Sequence, residues 1–143
     1  MKKNLTAKTS ISLNTTAAKV WKALTEPKLI KKYMFGTDVS SDWKEGSTIT
    51  WSGEYEGKSY TDKGVIKMIE PKKILQHTYL SSMSGKEDKA ENYATVTYTL
   101  AKKDDKIMLA LTQDNNANEK ARESSTKNWK MVLKKMKEVV ENN

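Results

Sequence analysis

The chain has no cysteine, so disulfides, thiolate metal sites and thiol nucleophiles are all excluded, and the composition suits a reducing compartment; the expected location is the cytoplasm. Histidine occurs once, at His77, which without a thiolate beside it leaves too few ligands for a transition-metal site. Neither a metal nor a cofactor is expected. Arginine also occurs once. Of 26 basic residues only Arg122 carries the planar fork that grips phosphates and guanines, and the lysines are scattered along the chain rather than clustered. That argues against nucleic acid as a partner despite a net charge of +8, and for a solubilising lysine surface. No apolar stretch approaches the roughly 18 residues of a membrane span. The lysines of Met1-Lys2-Lys3-Asn4-Leu5 are not followed by the apolar run of a signal peptide. There is no activated-serine motif, and no repeat or low-complexity tract.

What is present is 143 residues, enough for one domain spanning 1–143 that buries well over half of its extended surface. Leu5 to Leu13 alternates, setting Leu5, Ala7, Ile11 and Leu13 against Lys8, Ser10 and Ser12, the pattern of a half-buried strand. Thr15 or Thr16 is placed to cap a helix whose apolar stripe is Ala17, Val20, Trp21 and Leu24. Glu26-Pro27 ends it, and Pro27 suits the first position of a second short helix in which Leu29, Ile30 and Tyr33 share a face.

From Val39 the pattern turns to strands, predicted over Trp43–Trp51, Gly53–Tyr60, Lys63–Ile69, Ile74–Leu80, Ala94–Ala101 and Ile107–Thr112, with Gly46, Gly53, Gly57, Gly64 and Gly85 marking turns, bulges or close approaches. The short polar links Glu70-Pro71-Lys72-Lys73 and Lys102-Lys103-Asp104-Asp105 imply a meander. Leu80 to Ala90 is the one long loop and a candidate lid. Asn115-Asn116, with Glu119 three residues beyond Asn116, offers a cap for a helix running to the end of the chain. Its apolar face is Trp129, Val132, Leu133, Met136, Val139 and Val140, opposite Lys127, Lys130, Lys134, Lys137 and Glu141. The fold class is therefore α+β: a curved antiparallel sheet of about six to seven strands, two short helices after the first strand, and a long C-terminal helix packed across the sheet. Such a sheet, closed on one side by a helix, tends to leave a cavity.

A set of motifs in fixed order accompanies this pattern: Val20-Trp21-Lys22-Ala23-Leu24-Thr25-Glu26-Pro27; Trp43 with Glu45-Gly46; Ile49 to Trp51; Tyr60-Thr61-Asp62-Lys63-Gly64; and Pro71 before Ile74-Leu75. Then come Glu91-Asn92-Tyr93 before Val96-Thr97-Tyr98, Leu111-Thr112-Gln113-Asp114-Asn115, and Asn128-Trp129 with Leu133. In this order the chain resembles the helix-grip fold of the START and birch-pollen-allergen superfamily, SRPBCC, and within it the branch named for the activator of heat-shock protein 90 ATPase. The resemblance implies a pocket between sheet and helix. It also implies, as an alternative, a chaperone or other protein partner, although the eukaryotic co-chaperone resembles this chain only in its C-terminal domain.

On these strand assignments the cavity candidates are Trp51, His77, Tyr79, Tyr98, Leu109, Leu111 and Gln113 on the sheet, and Trp129, Leu133 and Met136 on the helix. His77 shares a face with Leu75 and Tyr79 and is either a hydrogen-bonded core residue, a ligand contact or a proton-transfer group. Gln113 continues the face of Ile107, Leu109 and Leu111, where an unpartnered amide would cost about 1–3 kcal/mol. Asp62 and Lys63 read as a rim salt bridge, Glu54, Glu56 and Asp62 as solvated carboxylates, and Asp114, Asn115 and Asn116 as turn and cap residues. The leading expectation is a soluble protein that encloses a small, mainly apolar ligand, as monomer or homodimer, with no catalytic set. A protein-interaction module acting through the lysine surface comes second, and an enzyme using His77 or a tyrosine on an apolar substrate comes last.

Overall fold

Alternation makes the first strand, β1 (Leu5–Leu13), one-sided: Ala7 and Leu13 are buried while Lys8 and Ser10 face outward. The computed structural model describes residues 5–82 and 85–142; Met1 to Asn4, Met83, Ser84 and Asn143 lie outside the described residues. After β1 the Thr16 hydroxyl accepts the Lys19 amide and caps α1 (Ala17–Thr25), and Pro27 opens α2 (Pro27–Tyr33) at the position where its missing N–H is harmless. Then follow β2 (Asp38–Ser41), β3 (Thr48–Tyr55), β4 (Lys58–Glu70), β5 (Ile74–Tyr79), β6 (Ala94–Lys103), β7 (Lys106–Asn116) and α3 (Glu119–Glu141). The strands form one antiparallel sheet in the order β1-β7-β6-β5-β4-β3-β2. The helix-grip architecture expected from the sequence is present, with α3 lying against β1, β7 and both short helices.

Several boundaries differ from expectation, each for a local reason. Trp43 is not in a strand: it adopts a left-handed φ of 56° in the turn ahead of β3, and the preceding strand is the short β2, which pairs Val39 with Trp51. Gly53 does not begin a strand; it lies inside β3 opposite Tyr60, whose ring crosses the space a side chain would fill, since a Cβ there would stand 2.8 Å from the Tyr60 hydroxyl. The hairpin instead turns at Glu56-Gly57, both with positive φ, so that Lys58 to Glu70 runs as one strand with a bulge between Ile66 and Met68. Asn118, not Asn116, caps α3, its side chain accepting the Ala121 amide at 2.8 Å. Asn116 is buried and ties three elements together: its amide donates to the carbonyls of Leu5 and Gln113, and its side-chain oxygen accepts from Ser125.

The core lies between the inner sheet face and α3. Leu13, Ile66, Leu75, Leu109, Leu111, Leu133 and Met136 are all essentially inaccessible. Helix α3 contacts β1 and β7 closely, so the interior is filled on that side and open toward β3 and β4.

Candidate functional site

On the open side a cavity of about 530 Å³ separates the sheet from the helix. Pleating sets its walls. Trp51 on β3 faces Asp62 on β4 in register, Gly53 faces Tyr60, and His77 and Tyr79 alternate onto the same side of β5. Val96 and Tyr98 continue the wall on β6 and Gln113 on β7, while Asn128, Trp129 and Val132 close it from α3. Met34, Phe35 and Thr37, in the link after α2, form the rim with Tyr55, and Phe35 and Tyr55 are exposed there.

Six of the ten residues expected from the sequence therefore come together around this space: Trp51, His77, Tyr79, Tyr98, Gln113 and Trp129. The other four, Leu109, Leu111, Leu133 and Met136, sit in the packed core on the side that α3 closes. Asp62 departs from expectation. It is 7% exposed, and its carboxylate accepts hydrogen bonds from the Tyr79 hydroxyl at 2.7 Å and from the Ser82 amide and hydroxyl at 2.8 and 3.1 Å, while Lys63 pairs with Asp88 instead. The reason is the uninterrupted β4, which turns Asp62 inward opposite Trp51. The long connection after β5 supplies Ser81 and Ser82 to this wall; its residues Met83 and Ser84 fall outside the described residues.

The aromatic groups touch in sequence. Tyr79 meets Trp51 edge-on with centroids 5.1 Å apart, Trp51 lies 4.9 Å from His77, His77 lies 6.2 Å from Tyr98, and Tyr98 meets Trp129 edge-on at 6.2 Å. Trp129 is fixed from its polar end, its indole N–H donating to the Gln113 side-chain oxygen at 2.6 Å. The Tyr60 hydroxyl exchanges a hydrogen bond with Thr37 at 2.8 Å across the rim.

Burial dictates the protonation states. His77 is desolvated, which lowers its pKa from 6.5 to about 4, and a bond to the Thr78 carbonyl opposes this only in part. A carbonyl can only accept, so Nδ1 carries the proton in the 2.9 Å contact with Thr78 and the neutral ring presents Nε2 as an acceptor. Tyr98 and Tyr79 are both held above the ordinary phenol range by burial, Tyr79 also by Asp62, so both keep their protons. Among the described residues the Tyr98 hydroxyl and His77 Nε2 have no hydrogen-bond partner, and both residues line the cavity as well as a small recess beside Tyr33. With Nδ1 bonded to a backbone carbonyl and Asp62 bonded to Tyr79 and Ser82, no carboxylate–imidazole–hydroxyl relay is assembled among the described residues.

A sheet wrapped around a long helix, with an open space between them, defines a helix-grip protein of the SRPBCC, birch-pollen-allergen type. Solved structures agree. A Cytophaga hutchinsonii protein, ChR145, is 46% identical, with a TM-score of 0.87 over 99% of this chain and 97% of its own. The Aha1 dimer of Colwellia psychrerythraea shares the fold at 17% identity, a TM-score of 0.75 and coverage of 95% and 96% of the two chains. Ara h 8.0201 shares it at 12% identity, a TM-score of 0.76 and coverage of 99% and 100%. Among curated proteins, none matches the chain. The model of the family described as activator of Hsp90 ATPase homolog 1-like protein matches residues 14–141, and the chain belongs to that family.

Proposed function

We propose that this protein binds a small, mainly apolar molecule in the cavity between the sheet and α3. The observation that carries the reading is a pair of polar atoms, the Tyr98 hydroxyl and His77 Nε2, that have no partner among the described residues and belong to buried side chains lining a space of about 530 Å³. That volume falls in the range of small-molecule sites, which are mostly apolar with a few placed polar groups. A hydroxyl left unbonded in a desolvated position is a loss to the fold alone, and a bound molecule would recover it. Native mass spectrometry of gently purified protein, followed by denaturing extraction, should give a discrete added mass. Bare protein by that measurement, together with unchanged Trp emission across a panel of apolar metabolites, would defeat the proposal.

The family's description supports a second reading, regulation of a chaperone ATPase. Exposed Phe35 and Tyr55 at the rim supply an apolar surface that a protein could cover. A coupled ATPase assay with Hsp90 at low salt should then show stimulation that the double variant Phe35→Ser, Tyr55→Ser loses. No stimulation and no retention of the chaperone on immobilised protein would end this reading.

A further inference from the structure

The chain carries 26 basic residues and a net charge of +8, yet among the described residues the cavity wall contains no lysine or arginine. It contains carboxylates instead, the exposed Glu54 and the buried Asp62. The Asp62 carboxylate is 7% exposed and takes part in no ion pair among the described residues; its three partners, one phenol, one amide and one hydroxyl, are all neutral donors. A carboxylate offers about four lone-pair sites, so at least one remains after those three bonds. Buried charge without a counter-charge is costly, and a bound cation would supply one. The neighbouring polar atom with open valence on the sheet, His77 Nε2, is likewise an acceptor and not a donor. Trp51 stands directly opposite Asp62 in the β3–β4 register, and Tyr79, which donates to Asp62, packs edge-on against Trp51. Aromatic faces beside a carboxylate are what a cationic nitrogen requires.

From this juxtaposition we propose that the ligand of the cavity is a cationic amine, a protonated or quaternary nitrogen joined to an aromatic or otherwise apolar body. The nitrogen lies beside Asp62 and the Trp51 ring, and the body extends toward Tyr98 and Trp129. An acidic lipid or other carboxylate is disfavoured, since it would meet Asp62 and an acceptor nitrogen with no positive group to receive it. The inference rests on the cavity being a binding site and adds the charge of the occupant.

Three probes with one ring system separate these claims: 1-naphthaleneethylamine, 1-naphthaleneethanol and 1-naphthaleneacetate, titrated at pH 7 by calorimetry and followed on the His77 and Trp side-chain resonances. The amine should bind about tenfold more tightly than the alcohol, and the acid most weakly. The ranking is demanding because the overall charge of +8 attracts the acid and repels the amine. Asp62→Asn, checked for folding by its amide spectrum, should abolish the preference for amine over alcohol. Acid binding equal to or tighter than amine binding in the unaltered protein overturns the charge assignment, as does a folded Asp62→Asn variant that keeps the amine preference. If none of the three probes moves the His77, Trp51 or Trp129 resonances, the binding-site reading itself fails.

Discussion

Lowering the pH from 7 to 4 should remove stability through one side chain in an amount that can be worked out from its surroundings. The imidazole of His77 is packed between Trp51, 4.9 Å away, and Tyr98, 6.2 Å away, and burial takes its pKa from 6.5 to about 4. The unfolded chain takes up this proton below pH 6.5 and the folded chain does not until about pH 4. The contribution is therefore whole above the unfolded pKa and is lost as pH falls through the folded one. At about 1.36 kcal/mol per pKa unit the difference amounts to about 3 kcal/mol, a large part of the roughly 5–15 kcal/mol that holds a typical domain together. Urea unfolding followed by Trp emission, at half-unit steps from pH 7.5 to 4, should show a steeper decline in the unaltered protein than in His77→Gln. Carboxylates contribute equally to both, so the difference between the two slopes isolates the imidazole. Because it is the only histidine, its proton resonance titrates without overlap. A midpoint near 6.5, or parallel pH profiles for the two proteins, would refute the claim that His77 is desolvated.

Other changes test the framework that holds the cavity open. Gly64→Ala would place a Cβ 1.8 Å from the Thr78 carbonyl oxygen and 2.6 Å from its carbon, backbone atoms that cannot yield without separating β4 from β5. The expected loss is about 3 kcal/mol or more by urea unfolding, with a shifted His77 resonance, since the same carbonyl receives its Nδ1 proton. Asn116→Ala removes three hydrogen bonds joining β1, β7 and α3 and should cost about 3 kcal/mol at about 1 kcal/mol each. Tyr98→Phe removes a hydroxyl that has no partner within the described residues, so stability should stay within about 0.5 kcal/mol or rise, while affinity for a ligand that bonds it falls. A large loss of stability in this variant would show that the hydroxyl serves the fold.

The sheet and the long helix were legible because their periodicities differ and both are long: Leu5 to Leu13 and Trp129 to Val140 can hardly be read otherwise. The inward aromatic face was legible for the same reason, from alternation in β5 and β6 that places His77, Tyr79 and Tyr98 together. The β3–β4 hairpin was obscured by glycine. Gly53 looks like punctuation, but in the structure it makes room for the Tyr60 ring, a relation across strands that no local pattern records. Once that hairpin is broken in the wrong place, Asp62 moves to the surface and the most distinctive charge in the cavity is lost. Leu109 and Leu111 were separable from Gln113 only by knowing where α3 closes against the sheet, which depends on the helix axis and not on the pattern of β7.

The pairing of β1 with β7 also has a consequence in time. Leu13 lies opposite Ile107 and Leu5 opposite Asn116, so β1, once it has left the ribosome, has to wait for β7. At ordinary synthesis rates that interval is roughly 5–20 s. For its duration the apolar side of β1 has no sheet to join and no α3 to cover it, and its backbone edge is open to any other nascent strand. A protein with this connectivity completes its interior only once β7 and α3 have been made, which makes the newly made chain, rather than the folded one, the form most exposed to aggregation.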